Sequence, residues 1–590
     1  MRNLFILLLV GMLLLPATAM AAPTLEDLQL KIEDLSNELD EMYDIVEKNE
    51  THTAKDRIEW YGDMRTKVDS VHYQDITWNP GVSVDLFQFR DDVFAGNILA
   101  LDPSTGQPVA GTPLANFAAT YPQHLMAFMQ GVQNNTLPAV GAFSMLGLDL
   151  GESAGKGDLN NDILYTTRLR LGMKAEVWKN VNFSGRLSMY KNWGDSTGIK
   201  VFDSWDAFTM DGTNGGNTSG DWLRVERAYF DWKDIGGSDF YLSIGRRPST
   251  YGPPSQFREN EMRGGTPSGH LVHFNFDGIT AGYKLSKLTG IEGQTVRFCY
   301  GQGFESQYGN GELYNTNDFA TKDTHLGGIN FDILNDGTNF LQLTAFGAMD
   351  VVDGFKGEFA FPSQLMPLFA PTINQDAQNF PNMNFQVRYQ PSTVIGDILL
   401  GGLGYVRQEE NGVNYFASLA YTQLRPNGDA GLFGGMGSDN LYVATAIDTD
   451  GDGTEDQIMP MPTNKVADDS NQDGYGVYVG IQIPSPGGKV GLEYNYGSEY
   501  WAPFTQAQDD VIGSKLATRG HVGEAYYIFD INPNMFIKVG GLYYDYEYTG
   551  SGSPVGTPQK VDDVLDGTAV SLLPVADTAW DGYASLTVKF

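Results

Sequence analysis

The chain predicts an all-β fold: a 16-stranded antiparallel transmembrane β-barrel preceded by a short N-terminal α-helical coiled coil. Three observations predict it. Beyond the first 21 residues no run of about 18 apolar residues occurs, so a helical membrane span is excluded and only a closed barrel could cross a bilayer. From Arg57 to the C-terminus, segments of about ten residues alternate apolar and polar side chains, as lipid-facing and lumen-facing positions of a barrel do. The connections between these segments alternate between short and long.

The N-terminus comes first. Residues 1–21 read as a secretory signal: Arg2 is the positive region, Leu4 to Leu15 the apolar core, and Ala19-Met20-Ala21 a small-x-small cleavage pattern. Residues 22–50 read as a coiled-coil helix. Leu25, Leu28, Ile32, Leu35, Leu39, Met42 and Val46 recur at spacings of three and four, which is three heptads of a and d positions. Thr24 is placed to cap the helix, with Glu26 and Asp27 in its first turn. The plain alternative is one amphipathic helix packed on its own domain. Residues 51–56 are a linker.

The body then changes period. Trp60, Met64, Thr66 and Val68 share one face, and Tyr61, Asp63, Arg65 and Lys67 the other. Leu169, Leu171, Met173 and Ala175 oppose Arg168, Arg170, Lys174 and Glu176. At the C-terminus Ala584, Leu586, Val588 and Phe590 oppose Tyr583, Ser585, Thr587 and Lys589. Seven short and eight long connections imply 16 strands, with both ends on the short-turn, periplasmic side. The long connections include 70–161, 248–275 and 425–474. His270 to Phe276 is read as strand entry. Treating it as a separate hairpin and adding Asn384 to Tyr389 would give 18 strands.

Composition narrows the function. The 590 residues hold 73 Asp and Glu against 38 Lys and Arg, a net charge of −35, which excludes a basic nucleic-acid footprint. Aromatic residues make up 12%, unlike a disordered chain. The single cysteine, Cys299, excludes an intramolecular disulfide framework. Seven histidines and no nucleophile motif give no catalytic constellation, so an enzyme is not expected. On an extended strand His270 and His273 would face opposite sides.

The lumen face carries the candidate site. Arg65, Lys67, Arg168, Arg170, Lys174, Arg186, Arg247, Arg297 and Lys538 are expected to line the pore, opposed by Asp63, Glu493 and Asp581. The bland alternative is lumen filler, paired across strands. The connection 248–275 is a candidate constriction loop, with Arg246, Arg258, Glu259, Glu261 and Arg263 as its charged residues and Pro253-Pro254 and Gly264-Gly265 fixing its path. Its plain alternative is an exposed surface loop.

One further motif stands out. Asp448, Asp450, Asp452, Thr454 and Asp456, with Gly453 at position 6, form the start of a Ca2+ loop. Position 12 is Met459, so the usual bidentate Glu is missing, and a solvated acidic turn is the alternative. No other cofactor is required. The long 70–161 connection is apolar enough around Pro138 to Leu150 to pack over the barrel mouth or into it as a plug.

A signal peptide, an alternating body and the final Leu586-Thr587-Val588-Lys589-Phe590 together resemble a Gram-negative outer-membrane porin. Phe590 resembles the signal read by the barrel-assembly machinery, and the coiled coil resembles the periplasmic extension of sugar-specific porins. Gly245-Arg246-Arg247-Pro248 and Asn275-Phe276-Asp277-Gly278 resemble a porin-like family of sulfate- and metal-reducing bacteria, which has no assigned substrate. The resemblance implies passive diffusion of small polar or anionic solutes through a homotrimer in outer-membrane lipid. The alternatives are a barrel sheathing a partner such as an electron-conduit cytochrome, and a surface adhesin or envelope tether reaching peptidoglycan through the coil.

Overall fold

The computed structural model describes residues 29, 31–43, 57–78, 82–83, 99–101, 108–113, 149–150, 155–194, 220–262, 264–306, 322–353, 358–361, 385–388, 393–430, 434–447, 457–466, 469–505, 510–569 and 575–590. The chain forms two units, Met1–Glu59 and Trp60–Phe590. In the first, residues 31–43 are helical. Its apolar stripe of Ile32, Leu35, Leu39 and Met42 is more than half exposed.

In the second unit, alternation closes a sheet on itself. Among the described residues sixteen antiparallel strands form one closed barrel, the expected number. They are β1 (Ile58–Trp78), β2 (Gly155–Trp178), β3 (Val181–Asn192), β4 (Gly220–Trp232), β5 (Phe240–Pro248), β6 (Asn275–Lys284), β7 (Thr295–Phe304) and β8 (Thr324–Asn335). The second half comprises β9 (Asn339–Val352), β10 (Val394–Arg407), β11 (Asn414–Pro426), β12 (Gln472–Ser485), β13 (Gly488–Gly497), β14 (Gly520–Asn532), β15 (Met535–Tyr546) and β16 (Thr578–Lys589). Each strand pairs with its sequence neighbours, and β1 meets β16 in the register Arg65↔Thr587 and Lys67↔Ser585. Phe590 extends this pairing at the short-turn end: its N–H donates to the Gly62 carbonyl at 3.0 Å, and Gly62 N–H donates back at 2.8 Å.

Two segments depart from the alternative strand counts. Phe385–Arg388 is a strand, but it pairs with Glu358–Phe361 as a separate two-stranded sheet in the β9–β10 connection. His270 ends a 3-10 turn, Ser268–His270, and β6 begins only at Asn275. His270 to Phe274 therefore lie in a folded connection, and the strand entry expected from His270 to Phe276 starts only at Asn275.

The outer surface is apolar. Met64, Ile279, Phe298, Leu419, Leu492 and Val539 are each 40% or more exposed and point away from the lumen. Aromatic residues mark both rims. Trp60, Trp178 and Trp232 lie at the short-turn ends of their strands, and Trp193, Trp222, Tyr421 and Tyr475 at the long-connection ends. Such girdles flank the lipid-facing band of a membrane barrel.

The core lies inside the barrel. The described residues of the connections 249–274 and 498–519 fold inward and meet each other: Val272 and Phe504 form a parallel bridge, with His273 N–H to Phe504 O at 2.7 Å and Phe504 N–H to Leu271 O at 2.8 Å. Leu271, Val272, Phe274, Trp501 and Phe504 bury themselves against Leu326 (β8), Ile398 and Leu400 (β10), and Ala420 and Leu424 (β11). A small wall residue makes this approach possible. A Cβ on Gly476 (β12) would lie 2.8 Å from the Trp501 ring and 3.0 Å from His270. This sector of the lumen is packed apolar matter, unlike the water-filled interior expected of a barrel this wide, because the long connections supply enough apolar side chains to fill it.

Candidate functional site

The opposite sector is built from charge. Period two places Asp63, Arg65, Lys67 and Asp69 of β1 on the lumen face, all buried, and Arg168 and Arg170 of β2 beside them. The inward connection 249–274 carries Glu259 into this group at the end of a short helix, Ser255–Arg258. Glu259 accepts from Arg168 Nη1 at 2.7 Å and Nη2 at 2.6 Å, and from Arg170 Nη2 at 2.9 Å. Asp63 accepts from Arg168 Nη2 at 3.0 Å and Arg170 Nε at 2.7 Å. Two guanidiniums thus bridge a wall carboxylate and a loop carboxylate. Burial pushes the Glu259 carboxyl up, but Arg168 and Arg170 outweigh burial and hold it well below the usual carboxylate range.

The other expected wall cations are also partnered. Arg186 (β3) makes a paired hydrogen bond with Glu226 (β4), its Nε at 2.9 Å. A β-bulge at Arg186/Leu187 makes room for Glu226, so that both Glu226 and Arg227 reach lumen groups; Arg227 stands 5.8 Å over the Tyr251 ring of the inward connection. Arg297 (β7) donates to Asp332 (β8) at 2.6 Å and to the Tyr241 hydroxyl at 2.8 Å. Arg247 (β5) donates to Thr280. Lys67 meets Asp69 at 2.5 Å and Asp581 (β16) at 3.8 Å. Lys174 is exposed, 5.1 Å over the Tyr61 ring, near the short-turn end of β2. These residues occupy the lumen face, and their positive charge is largely matched by carboxylates.

The loop residues divide. Arg258 donates to Asp510 of the second inward connection at 2.8 Å, so an ion pair joins the two loops. Glu261 meets Lys589 at 3.0 Å and accepts from Tyr251. Arg246 is not part of this group. It is paired with Asp277 across β5–β6, with Nε to Oδ1 at 3.2 Å, on the face shared with exposed Ile279. Its neighbour Arg247 faces the lumen, and strand alternation sends the two arginines to opposite sides. Arg263 and the Asp448, Asp450, Asp452, Thr454 and Asp456 loop lie outside the described residues, as do the signal segment and residues 138–148 of the Pro138 to Leu150 stretch.

Several charges were not singled out by sequence reasoning. Lys515 bridges Glu493 (β13, 2.6 Å) and Glu524 (β14), and Glu524 also accepts from Lys538 (β15) at 3.0 Å and the Tyr583 hydroxyl (β16) at 2.5 Å. Arg519, fully buried, donates to three carbonyls, those of Trp501 at 3.2 Å, Thr549 at 2.9 Å and Ser553 at 2.8 Å. It ties the second inward connection to the β15–β16 connection. A cavity opens among Arg65, Lys67, Arg258, Asp510, Glu524, Lys538, Leu542, Tyr583 and Ser585. Here loop tips and wall leave a space.

Comparison with solved structures finds barrels of low similarity. The in-vitro folded OmpT of Vibrio cholerae, an outer membrane protein in trimer form, is 10% identical, with 90% of this chain and 99% of that one covered at a TM-score of 0.35. The anion-selective porin from Comamonas acidovorans is 8% identical, covering 90% and 99%, at 0.38. Pseudomonas putida OprB is 10% identical, covering 92% and 96%, at 0.39. Among curated proteins, a UPF0173 metal-dependent hydrolase of Ignicoccus hospitalis is 28% identical over 112 residues, which is 18% of this chain. The match spans 45% of that protein's length. The family described as protein of unknown function DUF3373 matches residues 158–590, and this chain belongs to it.

Proposed function

We propose that this protein is an outer-membrane channel through which small polar or anionic solutes diffuse passively, with no chemistry. The observation that carries the reading is the closed barrel with an apolar, aromatic-rimmed exterior and a buried band of ionised side chains inside. Ionised groups inside a membrane protein are costly and mark solute paths. The route would run through the charged sector, between β14–β16, β1–β4 and the loop tip at Arg258-Glu259. The two inward connections act as the constriction. They also weigh against a sheath around a cytochrome, since they occupy the space such a partner would need. The exposed stripe of the N-terminal helix supports self-association, and in our reading the channel is a homotrimer with this helix in the periplasm. Phe590 would then serve the barrel-assembly machinery, and Asp448 to Asp456 would take Ca2+ at the outer rim.

The test is electrical. Purified protein in a planar bilayer should give stepwise, ohmic channels, and a KCl gradient should give a reversal potential favouring anions. A protein that inserts yet carries no current overturns the channel.

A further inference from the structure

We propose that the passage is gated at its short-turn mouth, and that the gate is the tip of the inward connection 249–274, residues 258–262. The inference rests on the channel reading and supplies the regulation of that path.

The tip lies far from the rim its loop starts on. β5 ends at Pro248 and β6 begins at Asn275, both at the long-connection end of the wall. The tip nevertheless bonds residues at the other end. Lys589, the last residue of β16, donates to the Glu259 carbonyl at 2.6 Å and meets the Glu261 carboxylate at 3.0 Å. Asn260 accepts from Lys489 at 3.0 Å and donates to Asp530 at 2.6 Å. Gln408 donates to the Glu261 carbonyl at 2.9 Å. Lys489 lies at the start of β13, Asp530 near the end of β14, and Gln408 just after β10, each beside a short turn. The loop therefore runs the height of the lumen. Because β10 and β16 are well separated around the barrel, the tip lies across the mouth rather than along one wall.

The base and the tip of this loop are held differently. At the base, Leu271, Val272 and Phe274 are buried among apolar wall residues. At the tip, Met262 is 48% exposed, and the Lys589 and Glu261 side chains are 22% and 32% exposed. Water screens such contacts, and each contributes little. A segment held this way opens locally while the buried part of the same loop stays in place. Asn260 marks where the chain turns back: its φ is 51°, a left-handed conformation that Asn tolerates better than most residues. Glu259 is the buried exception, held by Arg168 and Arg170. Losing the outer contacts leaves Glu259 as the main hold on the tip.

The experiment reads the fraction of time single channels stay open in planar bilayers. Glu261→Lys and Lys589→Glu should each raise it about threefold, the weight of a part-exposed ion pair. The double variant exchanges the two charges and should open less than either single one, because the pair is remade. Asn260→Gly keeps the left-handed backbone and removes both amide links without touching the C-terminal strand, and should open at least as much as Glu261→Lys. Conducting channels with one open fraction in the native protein and all these variants overturn the gate and leave the channel reading intact. Absence of conductance in both the native protein and Asn260→Gly overturns the channel reading itself. The position of the tip is tested with a maleimide on a polymer too large to enter the barrel. Met262→Cys should label only after the outer membrane is permeabilised, whereas Asp429→Cys in the β11–β12 connection should label in intact cells. The native Cys299 is buried and gives no background. Labelling of Met262→Cys in intact cells would place the tip at the opposite mouth and overturn the gate.

Discussion

The two sides of the barrel interior hold the same two loops by different physics. On the β8–β12 side, Leu271, Phe274, Trp501 and Phe504 are buried against aliphatic wall residues. On the β14–β4 side, Glu259 meets the guanidiniums of Arg168 and Arg170, and Lys515 meets Glu524. Apolar burial is non-directional and nearly indifferent to salt and pH. Buried ion pairs need matched geometry and leave an uncompensated charge when one partner is lost. The difference suggests that the apolar side anchors the constriction and the charged side tunes it.

The largest effect should come from the anchor. Trp501 is fully buried, and its indole N–H donates to Leu516 O at 2.8 Å. Trp501→Ala should cost about 4 kcal/mol, read as a lower urea midpoint. It should also raise single-channel conductance as the loops leave the lumen. A variant with unchanged conductance and midpoint would remove the anchor from this comparison.

Next comes the charged side. Glu259→Gln leaves two buried guanidiniums sharing Asp63, and should cost about 3 kcal/mol. Its conductance should rise less than that of Trp501→Ala, with a stronger preference for anions. If Glu259→Gln instead matched or exceeded Trp501→Ala, the anchor and the tuner would have to be exchanged.

The comparison also shows what was legible in the sequence. Arg65, Lys67, Arg168, Arg170, Arg186 and Arg297 could be placed on the lumen face because a strand reports its faces at every second residue. The strand count was legible for a related reason: each change from alternation to turn residues marks a barrel edge. Three things were not. The bulge at Glu226 adds one residue and brings Glu226 and Arg227 to lumen groups together, against strict alternation. Arg246 reads with the constriction loop beside pore-lining Arg247, although the pleat sends the two to opposite sides. Asp510, Lys515 and Arg519 sit in an irregular connection with no period, so nothing local shows that they fold into the barrel. Their partners, Arg258, Glu493 and the Thr549 carbonyl, are remote in sequence.

Acid should act on both sides through the loop. Burial pushes His270 and His273 down to about 3, from an ordinary 6.5, so both are neutral in place. His270 packs against Trp501 and Tyr478, and His273 bonds Ser255. Once the loop withdraws into water, each imidazole binds a proton below pH 6.5. The loop-in state therefore has its full stability above that pH and loses it as pH falls from 6.5 towards 3. The loss is on the order of 2 kcal/mol per histidine at pH 5. Glu259 adds in the same direction lower down, since its depressed carboxyl loses its advantage as pH falls through and below the ordinary carboxylate range. Conductance should rise on acidification between pH 6.5 and 4. The double variant His270→Gln, His273→Gln should flatten that rise above pH 5, and a profile unchanged by it would exclude the imidazoles as its source.

The smallest effect tests whether burial, rather than charge pairing itself, gives the charged sector its weight. Lys322 meets Asp350 at 3.0 Å, with Lys322 68% and Asp350 34% exposed. This pair has a separation close to that of Arg168 and Asp63, but water screens it and both partners stay hydrated when it breaks. Lys322→Met should shift stability by about 0.5 kcal/mol or less, and leave conductance unchanged. The same class of change at Lys538, 4% exposed, strands Glu524 with fewer donors and should cost several times more. Equal costs at the two lysines would mean that the lumen is as wet as the surface. The ion pairs of β1–β4 would then be loose filler, and the constriction would rest on the apolar side alone.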